Sequence, residues 1–470
     1  MWRMAIFTLT VTLALIAGCA SFHSRPLSPT QTVAALESRR LDNVKLKEFI
    51  ETNLNCKLTP WPPRSWDFSM LTLAALYYHP DLDVARAKWQ VAEAGKITAG
   101  QRPNPSISMP PGFIANPGES NPWLYGASLD IPIETAGKRG YRLARAGHLA
   151  EAAYLDIATA AWQVRSRLRA SLLDLYLARE SAALLKRQLA VQEDLAQVLA
   201  ARLAQGEIPR PELTQAQISL DQTRLLWQET RRQMAENRVR LAAALGLPVS
   251  ALRQMEIPYA FLQRLPPAPL SLEVRRQALL NRPDILAALA SYEAAQSALQ
   301  LEIAKQYPDL HLGPGYKFDD AKDKWTFGIS LTLPVLNRNQ GPIAEAKARR
   351  EEAAARFTVL QAGVIEELDR RLAGYLEAIR KLKTAEALAA AEKIQEQSAQ
   401  RNFQAGETDR LALLSAQLAL NNAALARLRT FYQTQQALGL LEDAVKSPLG
   451  TTAGLPSGLQ ANPRHGEHRP

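Results

Sequence analysis

The chain has 470 residues, 56 Lys and Arg against 46 Asp and Glu for a net charge of +10, and 47% hydrophobic with 22% charged residues. That balance excludes pervasive disorder and a polytopic helical membrane protein. Outside the extreme N-terminus no stretch approaches the roughly 20 apolar residues of a spanning helix, so any crossing of a bilayer falls to strands.

Residues 1–18 read as a signal peptide, with Arg3, an apolar run from Met4 to Leu15, and then Ile16-Ala17-Gly18-Cys19. Small residues before a cysteine resemble the bacterial lipoprotein cleavage box, which implies that Cys19 becomes the first mature residue and carries acyl chains such as palmitate. Each buried CH₂ contributes about 0.8 kcal/mol, and several chains anchor stably. Ala20 stands where an aspartate would imply inner-membrane retention, so the resemblance points to the outer membrane of a Gram-negative bacterium. Only Cys56 then remains as a thiol, which leaves no intramolecular disulfide, and it reads as a small packed residue. Residues 19–66 form the lipidated N-terminal segment, with one helix expected around 32–53.

From there the chain is written twice. Arg202-Leu203-Ala204-Gln205-Gly206-Glu207 is echoed by Arg401-Asn402-Phe403-Gln404-Ala405-Gly406-Glu407. Arg210, Leu213, Ala216, Gln217 and Leu220 recur as Arg410, Leu413, Ala416, Gln417 and Leu420. Upstream, Val164, Leu168 and Leu172 recur as Val364, Leu368 and Leu372, and His79-Pro80-Asp81-Leu82 as Arg282-Pro283-Asp284-Ile285. The units are 67–247 and 271–441, joined by a linker at 248–270 and followed by a flexible tail at 442–470. The expected fold class is mainly α with a small β part.

Proline is expelled from helix interiors at about 3 kcal/mol, and proline-free stretches with apolar residues three and four apart mark long helices at 138–205 and 342–405. At 1.5 Å per residue the first is roughly 100 Å long, several times a compact domain. Shorter helices are expected at 71–100 and 212–245, and at 272–306 and 410–440, so that two half-helices lie antiparallel to each long one. Gly206 and Gly406 supply the turns, and Pro209 and Pro211 suit the restart.

Between the first short helix and the long helix the period changes to two, giving hairpins at 104–133 and 309–335. From Trp325 to Val335 every odd position is large and apolar and every even one small, polar or proline; Trp123, Tyr125, Ala127, Leu129, Ile131 and Ile133 alternate similarly. Loops at 114–122 and 319–324 join the strands. Strands of this length, with one apolar and one polar face, fit a transmembrane barrel. Every backbone polar group within hydrocarbon must be paired, so four strands require sister chains. Two chains give eight strands, at which side chains tend to fill the interior; three give twelve and room for water.

Taken together, the signal and lipid cysteine, the twofold repeat, the hairpin before each long helix and the turns at Gly206 and Gly406 resemble the TolC family of outer-membrane efflux proteins. Leu73-Ala74-Ala75-Leu76 with His79-Pro80-Asp81-Leu82, and Gly406 followed by Leu413, Leu414, Ala416 and Gln417, carry the likeness most specifically. It implies a homotrimer with a twelve-stranded β-barrel in the outer membrane and a helical barrel in the periplasm, completed by a periplasmic adaptor and an inner-membrane pump. Pro132, Pro334, Gly140 and Gly341 would sit where strands swing into helices. The adaptor would dock at the helical tips, around Arg202, Gly206, Arg401 and Gly406. The family gates its duct with acidic rings at those tips. This chain has Ala412 and Ser415 where TolC itself places aspartates, leaving Glu407, Asp409, Glu207 and Glu212 as gate candidates or as acids that complement helix dipoles. By the same likeness, the N-terminal segment and the linker pack around the middle of the helical barrel.

The basic residues are interleaved with acidic ones along helices, which argues against nucleic acid as a partner. The six histidines are scattered and no metal or phosphate motif appears, so no enzyme, cofactor or metal is expected. Two readings remain, an export duct and a periplasmic structural coiled-coil lipoprotein without a pore.

Overall fold

The structure is a computed structural model that describes residues 21–113, 123–253, 255–263, 265–266, 271–319 and 322–449. Cys19, the loop at 114–122 and the tail beyond 449 with His465 and His468 lie outside the described residues. The elements run α1 (Pro29–Glu37), α2 (Val44–Leu54), α3 (Phe68–Tyr78), α4 (Pro80–Gly100), β1 (Ser106–Ser108), β2 (Gly112–Phe113), β3 (Trp123–Ile133), α5 (Lys138–Ala204) and α6 (Arg210–Leu245). Two 3-10 turns follow, at Val249–Leu252 and Tyr259–Gln263. Then come α7 (Leu272–Asn281), α8 (Pro283–Ala304), β4 (Leu310–Asp319), β5 (Lys322–Leu331), α9 (Gln340–Gln404) and α10 (Arg410–Val445). The protein is mainly α with a small β part.

The single helix expected over 71–100 is two, α3 and α4, and that over 272–306 is α7 and α8. Both breaks fall before a proline, which pushes the preceding residue out of the α region. His79 has ψ 122° and Arg282 ψ 137°, and Pro80 and Pro283 open the next helix. The N-terminal helix expected around 32–53 is also two, each started by its own side-chain cap, Ser28 for α1 and Asn43 for α2. Cys56 is exposed rather than packed. Helix α10 runs to Val445, so the tail expected from 442 begins as helix, with Glu442, Ala444 and Val445 buried. Against the expectation of no spanning-length apolar stretch, α10 holds an 18-residue window of mean hydropathy 1.2. It carries Gln417, Asn421 and Asn422 and packs along α5 and α9.

Helix α5, 67 residues and about 100 Å long, is the spine. Its first part packs against α4 and α8, where Ala152 and Leu155 meet Ala287 and Ala290; its second part packs against α6 and α10. The main core lies at the waist, where Val164, Leu168 and Leu172 of α5 bury against Leu71 and Leu76 of α3, Leu241 and Leu245 of α6, and Leu46, Ile50 and Trp66. The repeat-equivalent Val364 and Leu368 centre a second core with Ile285 and Val445. The N-terminal segment and the linker meet at this waist: Trp66 N–H donates to Glu256 O (2.9 Å) and Glu256 N–H to Arg64 O (3.0 Å).

A polar knot ties the copies together there. Arg165, fully buried, lies over the rings of Trp162 (4.7 Å) and Phe68 (5.1 Å) and donates to Glu442 Oε2 (3.2 Å). Arg169 donates to Gln435 O (2.9 Å) and Oε1 (2.8 Å), and burial pushes its pKa down from the usual arginine value. Trp162 Nε1 and the Ser166 hydroxyl both donate to Asp443.

Candidate functional site

Strands β1 and β2 hold one register against β3, Ser106 opposite Asp130 and Gly112 opposite Leu124. They are a single strand position interrupted at Met109-Pro110-Pro111, where two prolines remove ladder donors. Strand β3 pairs with β4, from Tyr125–Phe318 to Ile133–Leu310, and β4 with β5, from Leu310–Leu331 to Asp319–Lys322, all antiparallel. The sheet therefore has four strand positions, its central pairing joins the two copies, and β1/β2 and β5 are open edges among the described residues. The alternation read over 325–335 outlasts β5, which ends at Leu331 where its partner β4 begins at Leu310. Most of the loop expected at 319–324 is strand, because β5 starts at Lys322.

One face is apolar and uncovered: Trp325 is 82% exposed, Phe327 68%, Ile329 62% and Tyr125 54%. The other face carries Gly126, Ser128, Gly313, Gly315, Gly328 and Ser330. A Cβ at Gly315 would lie 2.7 Å from Thr326 Oγ1, so the cross-strand contact requires glycine. On this face His311 Nδ1 meets Asp130 Oδ1 at 3.0 Å, and Lys317 stands directly opposite Lys324. A sheet with an apolar face, a small polar face and, among the described residues, two unpaired edges closes within hydrocarbon by pairing those edges with further copies.

The expected strand–helix junction residues all lie within three residues of a strand end or a helix start. Pro132 is within β3, paired with His311, and Pro334 lies three residues beyond β5. Gly140 and Gly341 lie in the first turns of α5 and α9, and neither has positive φ. The left-handed conformation falls two to four residues earlier, at the helix N-caps Gly137 (φ 70°) and Asn339 (φ 59°) and at Ala136 (φ 55°). Aligning those two N-caps would have located it. Around the first junction Lys138 Nζ donates to Asp309 Oδ1 (2.7 Å), and Arg142 pairs with Glu134, whose carboxyl it holds below the usual glutamate range.

At the opposite end of the long helices, Gly206 (φ 76°) and Gly406 (φ 75°) make identical left-handed stops. Glu207 N–H donates to Arg202 O (3.0 Å) and Gly206 N–H to Leu203 O (3.0 Å); Glu407 to Asn402 O (2.9 Å) and Gly406 to Phe403 O (3.1 Å) repeat the pattern. Of the four tip acids, all exposed, Asp409 is brought into contact. It caps α10 by accepting from Ala412 N–H (2.9 Å) and takes a hydrogen bond from Arg202 Nη2 (2.7 Å), which together hold its pKa below the usual aspartate range. Arg202 Nε also lies 4.0 Å from Glu207. Glu212 sits in the first turn of α6, and Arg401 turns back to Gln397 O rather than to an acid. Sequence reasoning missed a second tie, Arg410 Nη2 to Asp194 Oδ2 at 3.1 Å, which joins α10 to α5. It also missed the waist knot, although two arginines four apart on the Val164–Leu168–Leu172 face were a visible signal.

The chain matches the sequence model of the Outer membrane efflux protein family over residues 72–247 and 274–445, one match for each copy. It belongs to that family. Among its relatives are the cobalt-zinc-cadmium resistance protein CzcC of Cupriavidus metallidurans, 26% identical over 76% of this chain and 84% of that protein, and the pyoverdine export outer membrane protein OpmQ of Pseudomonas putida, 28% identical over 73% and 78%. The fold matches the outer membrane protein VceC of Vibrio cholerae with a TM-score of 0.66 at 20% identity, covering 82% of this chain and 97% of that one. Family membership makes the protein an outer-membrane efflux channel rather than an enzyme, and it sets aside the reading as a poreless periplasmic scaffold.

Proposed function

We propose that three copies of the chain pool their strands into a twelve-stranded barrel, the outer-membrane end of a passive duct in a tripartite efflux system. The observation that carries this is the open sheet with an exposed apolar face and two unpaired edges. Its strand directions alternate, so β5 of one copy meets β1/β2 of the next antiparallel, and a head-to-tail ring closes with no free edge. Twelve strands leave a lumen that eight would fill. Acylated Cys19 anchors each copy. The tips, about 100 Å from the sheet along α5, carry Arg202, Gly206, Arg401 and Gly406, where a periplasmic adaptor docks and passes on cargo from an inner-membrane pump.

The Arg202–Asp409 and Arg410–Asp194 ties, flanked by Glu207, Glu212 and Glu407, form the candidate gate. Relatives named for cobalt-zinc-cadmium resistance and for pyoverdine export differ in cargo, and none is assigned to this duct. Single-channel recording of purified protein in planar bilayers, with native mass spectrometry of the same sample, tests the reading. Discrete openings from a species of three chains are expected; a monomer that inserts without conducting overturns it.

A further inference from the structure

The two strand–helix junctions, superposed on their N-caps Gly137 and Asn339, are chemically unlike. The first is neutralised from within by Glu134–Arg142 and Asp309–Lys138. In the second, Leu336 stands where Glu134 does and is 96% exposed, Ala344 replaces Arg142 and Arg338 replaces Ala136, while Lys347 keeps the positive charge of Arg145. Val335, Leu336 and Ile343 with Arg338, Lys347 and Gln306 line an open groove of about 700 Å³. Nearby acids are already engaged: Glu302 by Lys305 Nζ (2.7 Å) and Asn339 Nδ2 (2.9 Å), Glu345 by Arg349, and Glu351 by Arg350 (2.8 Å). The bend is fixed, since Gln340 Oε1 accepts from Arg338 N–H and Asn337 Oδ1 from Asn339 N–H, both at 2.8 Å.

We infer that this groove binds the headgroup of an anionic phospholipid in the periplasmic leaflet of the outer membrane, an assignment that rests on the barrel reading. The exposed apolar side chains Trp325, Phe327, Ile329 and Leu331 of β5 continue past the strand end as Leu333 and Val335, the last of which lines the groove, so an acyl chain on that apolar surface brings its phosphate to the groove that Arg338 and Lys347 line. Ring closure brings the next copy's residues 101–105 beside β5. That segment carries Arg102 and no acid, so a neighbouring copy adds positive charge and does not neutralise the groove.

Native mass spectrometry of the full-length acylated assembly in neutral detergent, titrated in parallel with phosphatidylglycerol and phosphatidylcholine, reads the site. At roughly fivefold per basic side chain near an anionic surface, the wild type is expected to retain phosphatidylglycerol about 30-fold more strongly. Arg338→Gln with Lys347→Gln is expected to lose that preference at unchanged subunit number, while Arg142→Gln at the first junction keeps it. Equal preference in wild type and double variant overturns the site, as does displacement of the lipid by equimolar inorganic phosphate. A double variant that falls apart into monomers assigns the groove to a second copy instead. Conductance in bilayers with no lipid preference overturns the site alone; absent conductance overturns the barrel reading and the site with it.

Discussion

Ile329→Arg and Ser330→Arg are adjacent substitutions on the exposed strand β5, and their consequences should be opposite. Ile329 lies in the row Ile131–Leu312–Ile329 on the apolar face, 62% exposed and near the middle of the apolar stretch from Trp325 to Val335. Ser330 lies in the row Pro132–His311–Ser330 on the glycine-rich face. An arginine facing lipid at the bilayer midplane costs about 2–4 kcal/mol per copy, or about 6–12 kcal/mol for three copies. Even one copy's share lowers the ratio of inserted to uninserted protein by about 30- to 1000-fold, at a factor of ten per 1.4 kcal/mol. The measurement is the fraction of purified protein that resists alkaline extraction from lipid vesicles, followed by conductance of whatever has inserted. Ile329→Arg should abolish the resistant fraction. Ser330→Arg should insert as the wild type does and shift the channel toward anions, because it places a cation beside His311 and Asp130. Equal damage from the two, or insertion of Ile329→Arg at wild-type yield, would refute the assignment of faces.

Gly406→Ala meets no atom within 4 Å and strains only the φ of 75°, so it should cost about 1–2 kcal/mol and appear as faster amide exchange confined to the tip. Gly246→Ala has φ 68° and would also place a Cβ 2.7 Å from Tyr78 O in the waist core, so unaltered thermal melting of that variant would contradict the packing. Glu442→Gln leaves Arg165 and Arg169 buried beside a neutral group and should lower stability by about 3–5 kcal/mol in denaturant titrations; a wild-type curve would show the knot to be incidental. Asp409→Asn keeps an N-cap but removes the charge facing Arg202, so open probability should rise with little change in melting temperature, and an unchanged channel would remove Asp409 from the gate. Burial, and then Arg167, holds the His79 imidazole below its usual pKa, and its Nδ1 accepts from Asp81 N–H. Its stabilising contribution is therefore full above about pH 6.5 and lost as pH falls through the lower folded value, so melting temperature should drop from about pH 8 to about pH 5 less steeply in His79→Asn than in the wild type.

Much of the architecture was legible because duplication prints the same physics twice. A valine–leucine stripe recurring as Val164–Leu168 and Val364–Leu368 marks two core centres, and a glycine recurring at 206 and 406 marks two identical left-handed stops. The helix breaks were visible as well, since Pro80 and Pro283 also recur, and only the weight given to the surrounding apolar periodicity hid them. What stayed hidden was contact between positions that are not repeat equivalents. Arg202 reaches Asp409, but at the same offset of 200 its counterpart is Asn402, and that of Asp409 is Pro209, so the tie exists once and repeat logic is blind to it. The junctions behave alike: Gly137 and Asn339 conserve the backbone bend, while Glu134 and Leu336 give it opposite chemistry. Positions that agree between the copies hold up a fold both halves need, whereas a closed ring alternates the halves and gives each a different neighbour. The residues that differ at equivalent places are then the ones that meet something only one half touches: the tip tie, the lipid-edge groove and the knot of Arg165 with Glu442, whose counterparts at that offset are Ile365 and Ala242.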